Sequence, residues 1–226
     1  MIQQKNKRRP YDPSSPSSIL LLIFTGLISL FSFIQCQAQS LDSLSSGKSF
    51  CHNMLSNGDF ESGNTGFSSD YLFAPDYIDH GRYTITKDIH ALDSASVSPA
   101  GGDHTTGKGS YMLVDAKIYR YADRSKVWVS EVQKITKNSE YTFSVWLART
   151  GIGSPPELLV TIDDKPVAPS YRLGFAPGQW QKLSYTWKSR KNRKRISIAI
   201  TSIYYYQYME DFMMDDISFC KEAVKQ

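Results

Sequence analysis

Asn53 to Phe67 reads NMLSNGDFESGNTGF, and the fold is decided there. Met54 and Leu55 suit the start of a strand, and Asn57-Gly58 is a turn dipeptide. Phe60 offers an apolar anchor with a carboxylate on either side, Asp59 and Glu61. Gly63 and Gly66 admit backbone angles that other residues resist. A matching piece, Phe212 to Cys220, reads FMMDDISFC. A carboxylate-rich opener and a carboxylate-rich closing strand predict two chain ends that meet, with a cation between them as one outcome.

Working outward, runs rich in Val, Ile, Thr and Tyr recur between clusters of Gly, Pro, Asn and Ser, which is an all-β pattern. Strands are expected at 71–77, 82–87, 110–116, 126–135, 141–149, 157–162, 179–188, 195–203 and 212–220. Asp163-Asp164-Lys165 reads as a hairpin turn, and 91–108 as a long loop of small and polar residues. No long segment has the 3.6-residue period of a helix, and no repeat is present.

Before the opener, residues 1–18 are basic and then rich in Ser and Pro. Ile19 to Ile34 is an apolar run, shorter than the about 20 residues a spanning helix needs. Cys36-Gln37-Ala38 supplies small residues for signal peptidase, so 1–38 reads as a signal peptide cleaved after Ala38. An uncleaved anchor and a lipoprotein acylated at Cys36 are the alternatives. Residues 39–50 form a short linker, 51–220 one domain and 221–226 a tail. No membrane span remains after signal removal, and the product is expected to be secreted, at the cell surface or periplasmic. The formal charge of +4 misleads, because the leader holds Lys5, Lys7, Arg8 and Arg9 against Asp12. Subtracting that +3 leaves the mature chain near +1, which is not the balance of a nucleic-acid binder.

The opener, the aromatic strand YTFSVWLA (Tyr141–Ala148), the Gly178-Gln179-Trp180-Gln181 strand start and the closing Asp215-Asp216-Ile217-Ser218 follow one another in this order. Together they resemble carbohydrate-binding modules of families 4, 9 and 22, over roughly Cys51 to Cys220. The resemblance implies a galactose-binding-like β-sandwich of the jelly-roll type. It also implies a non-catalytic role with a polysaccharide or glycan as partner, although such modules usually travel attached to an enzyme. In such a sandwich the first and last strands lie side by side, so in an oxidising compartment Cys51 and Cys220 are expected to form a disulfide. Two unpaired buried thiols are the alternative. In modules of this type a structural calcium sits where opener and closing strand meet. Carried over by position, its ligands are the Glu61 side chain, the Asp59 carbonyl and Asp215, with the loop at Thr105 and Thr106 as a further source. Alternation along the closing strand puts Asp215 on the side of Ile217 and Phe219, facing the core. The competing reading of Asp215 is a cap on backbone N–H groups or a partner for a lysine.

Sugar rings present flat C–H faces that exposed Trp or Tyr rings cover. In YTFSVWLART, Tyr141, Phe143, Val145 and Leu147 form a core stripe, and Trp146 stands on the other face among Thr142, Ser144 and Ala148. Trp146 reads either as a binding platform or as plain packing. Trp180 reads as structural, and Trp128 and Trp187 stay open. Tyr204, Tyr205, Tyr206 and Tyr208 form either a binding surface or a cover for the open end, with Tyr119 and Tyr121 a smaller candidate of the same kind. The basic run KSRKNRKR, Lys188 to Arg195, is either a solvated hairpin turn or a site for an acidic polysaccharide. No nucleophile elbow, zinc-protease helix or P-loop is present. His52, His80, His90 and His104 lack metal-ligand spacing. A structural or adhesive cell-envelope domain of the same fold is the rival function.

Overall fold

A computed structural model describes residues 52–76, 79–91, 96–117, 124–174, 176–203 and 211–222. They form an all-β sandwich, as expected. Its strands are β1 (Leu72–Phe73), β2 (Arg82–Thr86), β3 (Tyr111–Asp115), β4 (Lys126–Ile135), β5 (Glu140–Arg149) and β6 (Glu157–Ile162). After them come β7 (Lys165–Pro166), β8 (Tyr171–Arg172), β9 (Gln181–Lys188), β10 (Arg193–Ile203) and β11 (Phe212–Lys221). One sheet runs β1-β2-β3-β11-β5-β9, and the other β4-β10-β6 with β7 and β8 both paired to β6.

Alternation builds the core between the sheets. Tyr141, Phe143, Val145 and Leu147 of β5 are buried, opposite Ile196, Ile198 and Ile200 of β10 and Leu158, Val160 and Ile162 of β6. Trp128, left open by the sequence, is fully buried in this core, and Trp187 is half-buried against it. A second, smaller cluster of Ile89, Tyr111, Leu113, Ala148 and Met213, with Trp180 against it, covers the outer face of the six-stranded sheet.

The closing strand departs from simple alternation. Asp215 stands across from Trp146, and the next pair is Ser218 with Ser144, so β11 advances three residues where β5 advances two. The extra residue is Asp216, in the left-handed region at φ 48, which Asp tolerates better than most residues. Such a bulge inverts the parity of everything after it. Phe212 and Met214 before it, and Ile217 and Phe219 after it, therefore all enter the core. Asp215 points the other way, with Met213 and Trp146, which corrects the expectation that it shares the side of Ile217.

The opener docks on β11, though not as a strand at Met54 and Leu55. A single bridge joins Asn53 to Cys220. Around it the Asn53 amide does the pairing: its Nδ2 donates to the Ile217 carbonyl and its Oδ1 accepts the Phe219 N–H, each at 2.9 Å. Gly58 lies so close to β11 that a Cβ there would sit 1.9 Å from the Ile217 oxygen. Only glycine lets its carbonyl take the Ile217 N–H at 2.8 Å. Phe60 seals the joint from inside, fully buried and edge-on to Phe67 at 5.5 Å.

Candidate functional site

On the outer face of the six-stranded sheet, register sets Trp146 of β5 between Asp215 of β11 and Lys182 of β9. The loop 101–109 folds over this row. Gly102 and Gly107 have φ of +85 and +77, and a Cβ on Gly102 would lie 2.3 Å from the Gly107 oxygen, so the loop closes only with glycine there. Asp103 staples it: Thr106 N–H donates at 2.7 Å, Gly109 N–H at 2.5 Å and the Thr106 hydroxyl at 3.1 Å. Burial pushes the Asp103 carboxyl up, but these hydrogen bonds outweigh burial and hold it below the usual carboxylate value.

Asp215 anchors the loop from beneath. It is fully buried. It accepts N–H groups from His104 at 2.8 Å, Thr105 at 3.2 Å and Asp216 at 2.8 Å, and the Thr105 hydroxyl at 3.3 Å. Burial raises its pKa to about 7; the Asp216 N–H bond lowers it, the Asp216 charge raises it, and the His104 and Thr105 N–H bonds lower it. Asp216, beside it, holds the His104 Nδ1 at 2.6 Å and accepts the Thr105 hydroxyl at 2.7 Å.

These contacts set the His104 ring flat on Trp146, centroids 3.8 Å apart and planes 18° apart. Trp180 meets His104 edge-on at 6.0 Å and Tyr111 at 6.3 Å, and donates its indole N–H to the Gly102 carbonyl at 3.0 Å. Lys182 Nζ lies 5.9 Å from the Trp146 ring centre. Trp146 and Trp180 are both half-buried. Trp146 thus stands with more than small neighbours: one ring face belongs to a histidine that the sequence reading set aside. Its partnership joins residues 42 apart in the chain, which local spacing cannot show. From this patch a row of hydroxyls runs along the sheet, with Ser144 across from Ser184 and Ser218, then Thr142 across from Thr186.

Where opener meets closing strand there is a hollow of about 440 Å³ lined by Asn53, Asn57, Asp59, Asp216 and Ser218. The predicted calcium ligands do not converge in it. Among the described residues, the group of three or more His, Cys, Asp or Glu whose ligand atoms lie within 4.8 Å of one another is Asp79, His80 and Asp115, without Asp59, Glu61 or Asp215. Asp215 fits a cation poorly, because N–H and hydroxyl donors already surround its oxygens; this is the capping role weighed against calcium above. Thr105 and Thr106 serve Asp216, Asp215 and Asp103 in the same way. Glu61 and Asp103 approach each other nearby, although Asp103 is capped by Thr106 and Gly109 much as Asp215 is by its own donors. A Cβ on Gly109 would lie 1.8 Å from Glu61 Oε1 and 3.0 Å from Asp103 Oδ2, so these two carboxylates meet over a glycine. Glu61 Oε1 also accepts the Ser110 N–H at 2.6 Å.

A further acidic group sits where β3 ends and β11 begins. Asp115 Oδ1 lies 2.9 Å from His80 Nδ1, and Asp211 accepts the Ala116 N–H at 2.9 Å. Burial, and then the charge of Asp115, raise the Asp211 pKa to about 7. Sequence reading missed this group, since Asp79-His80, Asp115 and Asp211 are brought together only by the β2-β3-β11 order. Tyr119, Tyr121, Tyr204, Tyr205, Tyr206, Tyr208 and Cys51 lie outside the described residues.

No protein-family profile and no curated protein matches the chain. Among solved structures, the apo form of a cyclase from Fischerella sp. is 11% identical, covers 77% of this chain and 97% of its own, and has a TM-score of 0.57. An arabinose-bound α-L-arabinofuranosidase, MgGH51, is 13% identical with a TM-score of 0.51 over 78% of this chain, which spans 27% of that enzyme. The module TmCBM61, in complex with β-1,4-galactotriose, is 14% identical with a TM-score of 0.48, over 76% of this chain and 99% of its own. These likenesses are of fold, and this fold hosts binding and catalysis alike.

Proposed function

We propose that the chain is an exported, non-catalytic carbohydrate-binding module of the family 4, 9 and 22 type that takes a polysaccharide or glycan on the outer face of the six-stranded sheet. The observation that carries this reading is Trp146, half-buried on that face, with Lys182, Asp216 and a row of Ser and Thr hydroxyls around it. An indole edge beside hydrogen-bonding side chains suits a sugar, whose ring has apolar faces and a polar rim. Tyr204, Tyr205, Tyr206, Tyr208, Tyr119 and Tyr121 belong to the same reading as additional contacts.

Two supports of the fold go with it. The Cys51–Cys220 disulfide is favoured by Cys220 being disulfide-bonded and by the Asn53 bridge beside it. A structural calcium where the opener meets the closing strand belongs to the same reading, with the Glu61 side chain and the Asp59 carbonyl as its ligands; bound there, Ca²⁺ would neutralise carboxylate charge and tie the opener down. On this reading calcium raises the melting temperature, chelator lowers it, and Glu61→Gln removes the difference. A melting temperature indifferent to both would end the calcium proposal and leave the sugar proposal standing.

The sugar proposal is tested by a glycan array, with Trp146→Ala and Tyr205→Ala as variants. Selective binding that falls about five- to a hundredfold with Trp146→Ala is expected, taking the roughly 1–3 kcal/mol of an aromatic that stacks on a nucleobase as the scale. The rival reading, a structural or adhesive envelope domain, has one observation in its favour: His104 already occupies a face of Trp146. Absence of binding to every glycan, from a chain that melts cooperatively, would decide for it.

A further inference from the structure

One end of the sandwich concentrates positive charge on a rigid frame. The β9–β10 hairpin and the β4–β5 turn are locked together there. Lys137 N–H donates to Asn192 Oδ1 at 2.7 Å, Asn138 N–H to the Ser189 carbonyl at 2.8 Å, and Ser189 N–H to the Ser139 carbonyl at 3.0 Å. Ser189 is fully buried at the joint, and its hydroxyl donates to the Lys191 carbonyl at 2.7 Å. This is more order than a solvated turn requires.

On that frame Lys134, Lys137, Arg190, Lys191 and Lys194 are exposed, and among the described residues none has a carboxylate within ion-pair distance. Neighbouring Lys188 and Arg195 hold Glu140 at 3.8 Å and Glu131 at 3.3 Å, in exposed pairs that screen each other little. Arg193 is tied to Asp163 and completes the frame rather than the surface. The opposite end of β11, about 30 Å away at strand rise, carries Asp79, Asp115 and Asp211. Exposed cations with no carboxylate partner among the described residues are thus gathered at the basic end.

We propose that this basic end is a docking surface for an anionic polysaccharide, one bearing uronate or sulfate groups. It is separate from the Trp146 face and does not depend on the reading of that face. The chemistry of the surface selects this class. Neither Thr136–Asn138 nor Arg190–Arg195 contains an aromatic residue, so single-stranded nucleic acid finds no ring on which to stack. The exposed large hydrophobics, Leu72, Phe73, Val97 and Ile152, belong to other segments, so nothing here inserts into a bilayer. What remains is exposed charge on an ordered backbone frame, with Asn and Ser between, which suits a linear polyanion whose sugars also offer hydroxyls.

The test measures binding of the purified protein to polygalacturonate and to heparin at low ionic strength. A neutral glucan, duplex DNA and vesicles of phosphatidylglycerol and phosphatidylcholine are run in parallel. Binding to one or both anionic glycans is expected, with log affinity falling linearly against log salt. Arg190→Gln/Lys191→Gln/Lys194→Gln should weaken it about tenfold, three exposed charges contributing a few tenths to one kcal/mol each. Lys134→Gln/Lys137→Gln, on the other strand pair, should weaken it in the same direction should the first variant fold poorly. Arg172→Gln, which removes an exposed cation beside Glu157 at the other end of the sandwich, should leave it unchanged, which separates this surface from exposed positive charge in general. No binding to either anionic glycan, or wild-type binding by both charge variants, would overturn the proposal. Equal or tighter binding to duplex DNA or to the vesicles would overturn the choice of partner.

Discussion

Asp211 and Asp215 are carboxyl groups held where a carboxylate is costly. Both have a folded pKa of about 7 against an ordinary 3.8, burial being the main cause in each. A raised carboxyl pKa means that the folded state binds the proton more tightly than the unfolded chain does. Its contribution to stability is full below about 3.8 and is lost as pH rises towards 7. The melting temperature is therefore expected to climb as pH is lowered from 7.5 to 5, and Asp211→Asn should flatten that climb. A profile unchanged by Asp211→Asn would show that Asp215, or Asp115 beside Asp211, carries the climb instead. At the same scale, Trp128 is fully buried with an indole N–H that meets no acceptor among the described residues. Trp128→Phe should cost far less in a denaturant titration than Phe219→Ala, which opens a cavity worth about 3–5 kcal/mol. Of these residues the sequence shows the types but not the partners. Trp146 was legible as an outward-facing ring because it alternates with Phe143, Val145 and Leu147. His104 was not, because its meeting with Trp146 depends on where a glycine loop lands.

Elements were more legible than residues. The strands β2, β4, β6 and the body of β5, β9, β10 and β11 follow from runs of alternating apolar and polar residues. The two-residue strands β7 and β8 lack enough length to show a period. The bulge at Asp216 escaped for a different reason: one inserted residue leaves composition unchanged while turning Asp215 from inside to outside. Its left-handed backbone predicts that Asp216→Val costs about 1–3 kcal/mol, while Asp216→Asn, which keeps the conformation, costs less. Equal losses in thermal melts would place the cost in the His104 and Thr105 contacts rather than in the backbone. The turn joining β6 and β7 was read correctly from Asp163-Asp164, and both have positive φ, 48 and 62. Asp164 is the exposed one and its pair with Lys126 is a surface pair. Asp164→Gly should accordingly stabilise the protein by up to about 1 kcal/mol, by relieving a left-handed Asp. A lower midpoint in urea would mean that Lys126 contributes more than a surface pair usually does.

At the scale of the molecule, charge and covalent closure are the two features composition nearly hides. The formal charge of +4 conceals a basic end, where the contiguous run Lys188 to Arg195 is joined by Lys134 and Lys137 from the β4–β5 side. Closure is concentrated at β11. Cys220→Ser is expected to lower stability by about 2–5 kcal/mol where the disulfide with Cys51 forms. The wild type in reductant should melt at the temperature of the variant. Coincident melting of variant and wild type without reductant would show that the opener is held by Asn53 and Gly58 alone.

β11 lies between β3 and β5, so an inner place of the six-stranded sheet is filled by the strand of this domain that comes latest in sequence. Until Phe212 to Lys221 has left the ribosome, β3 and β5 have no neighbour to share, and Tyr141, Phe143 and Met112 have no Phe219 or Met214 to pack on. Assembly must then wait for the whole domain and, in one late step, join Met214 to Met112, Phe219 to Phe143 and Cys220 to the distant Asn53. Such long-range pairing is slow, and it leaves an open, sticky half-sheet in the meantime. A cell making this protein would need to keep that half-sheet shielded until its missing strand arrives.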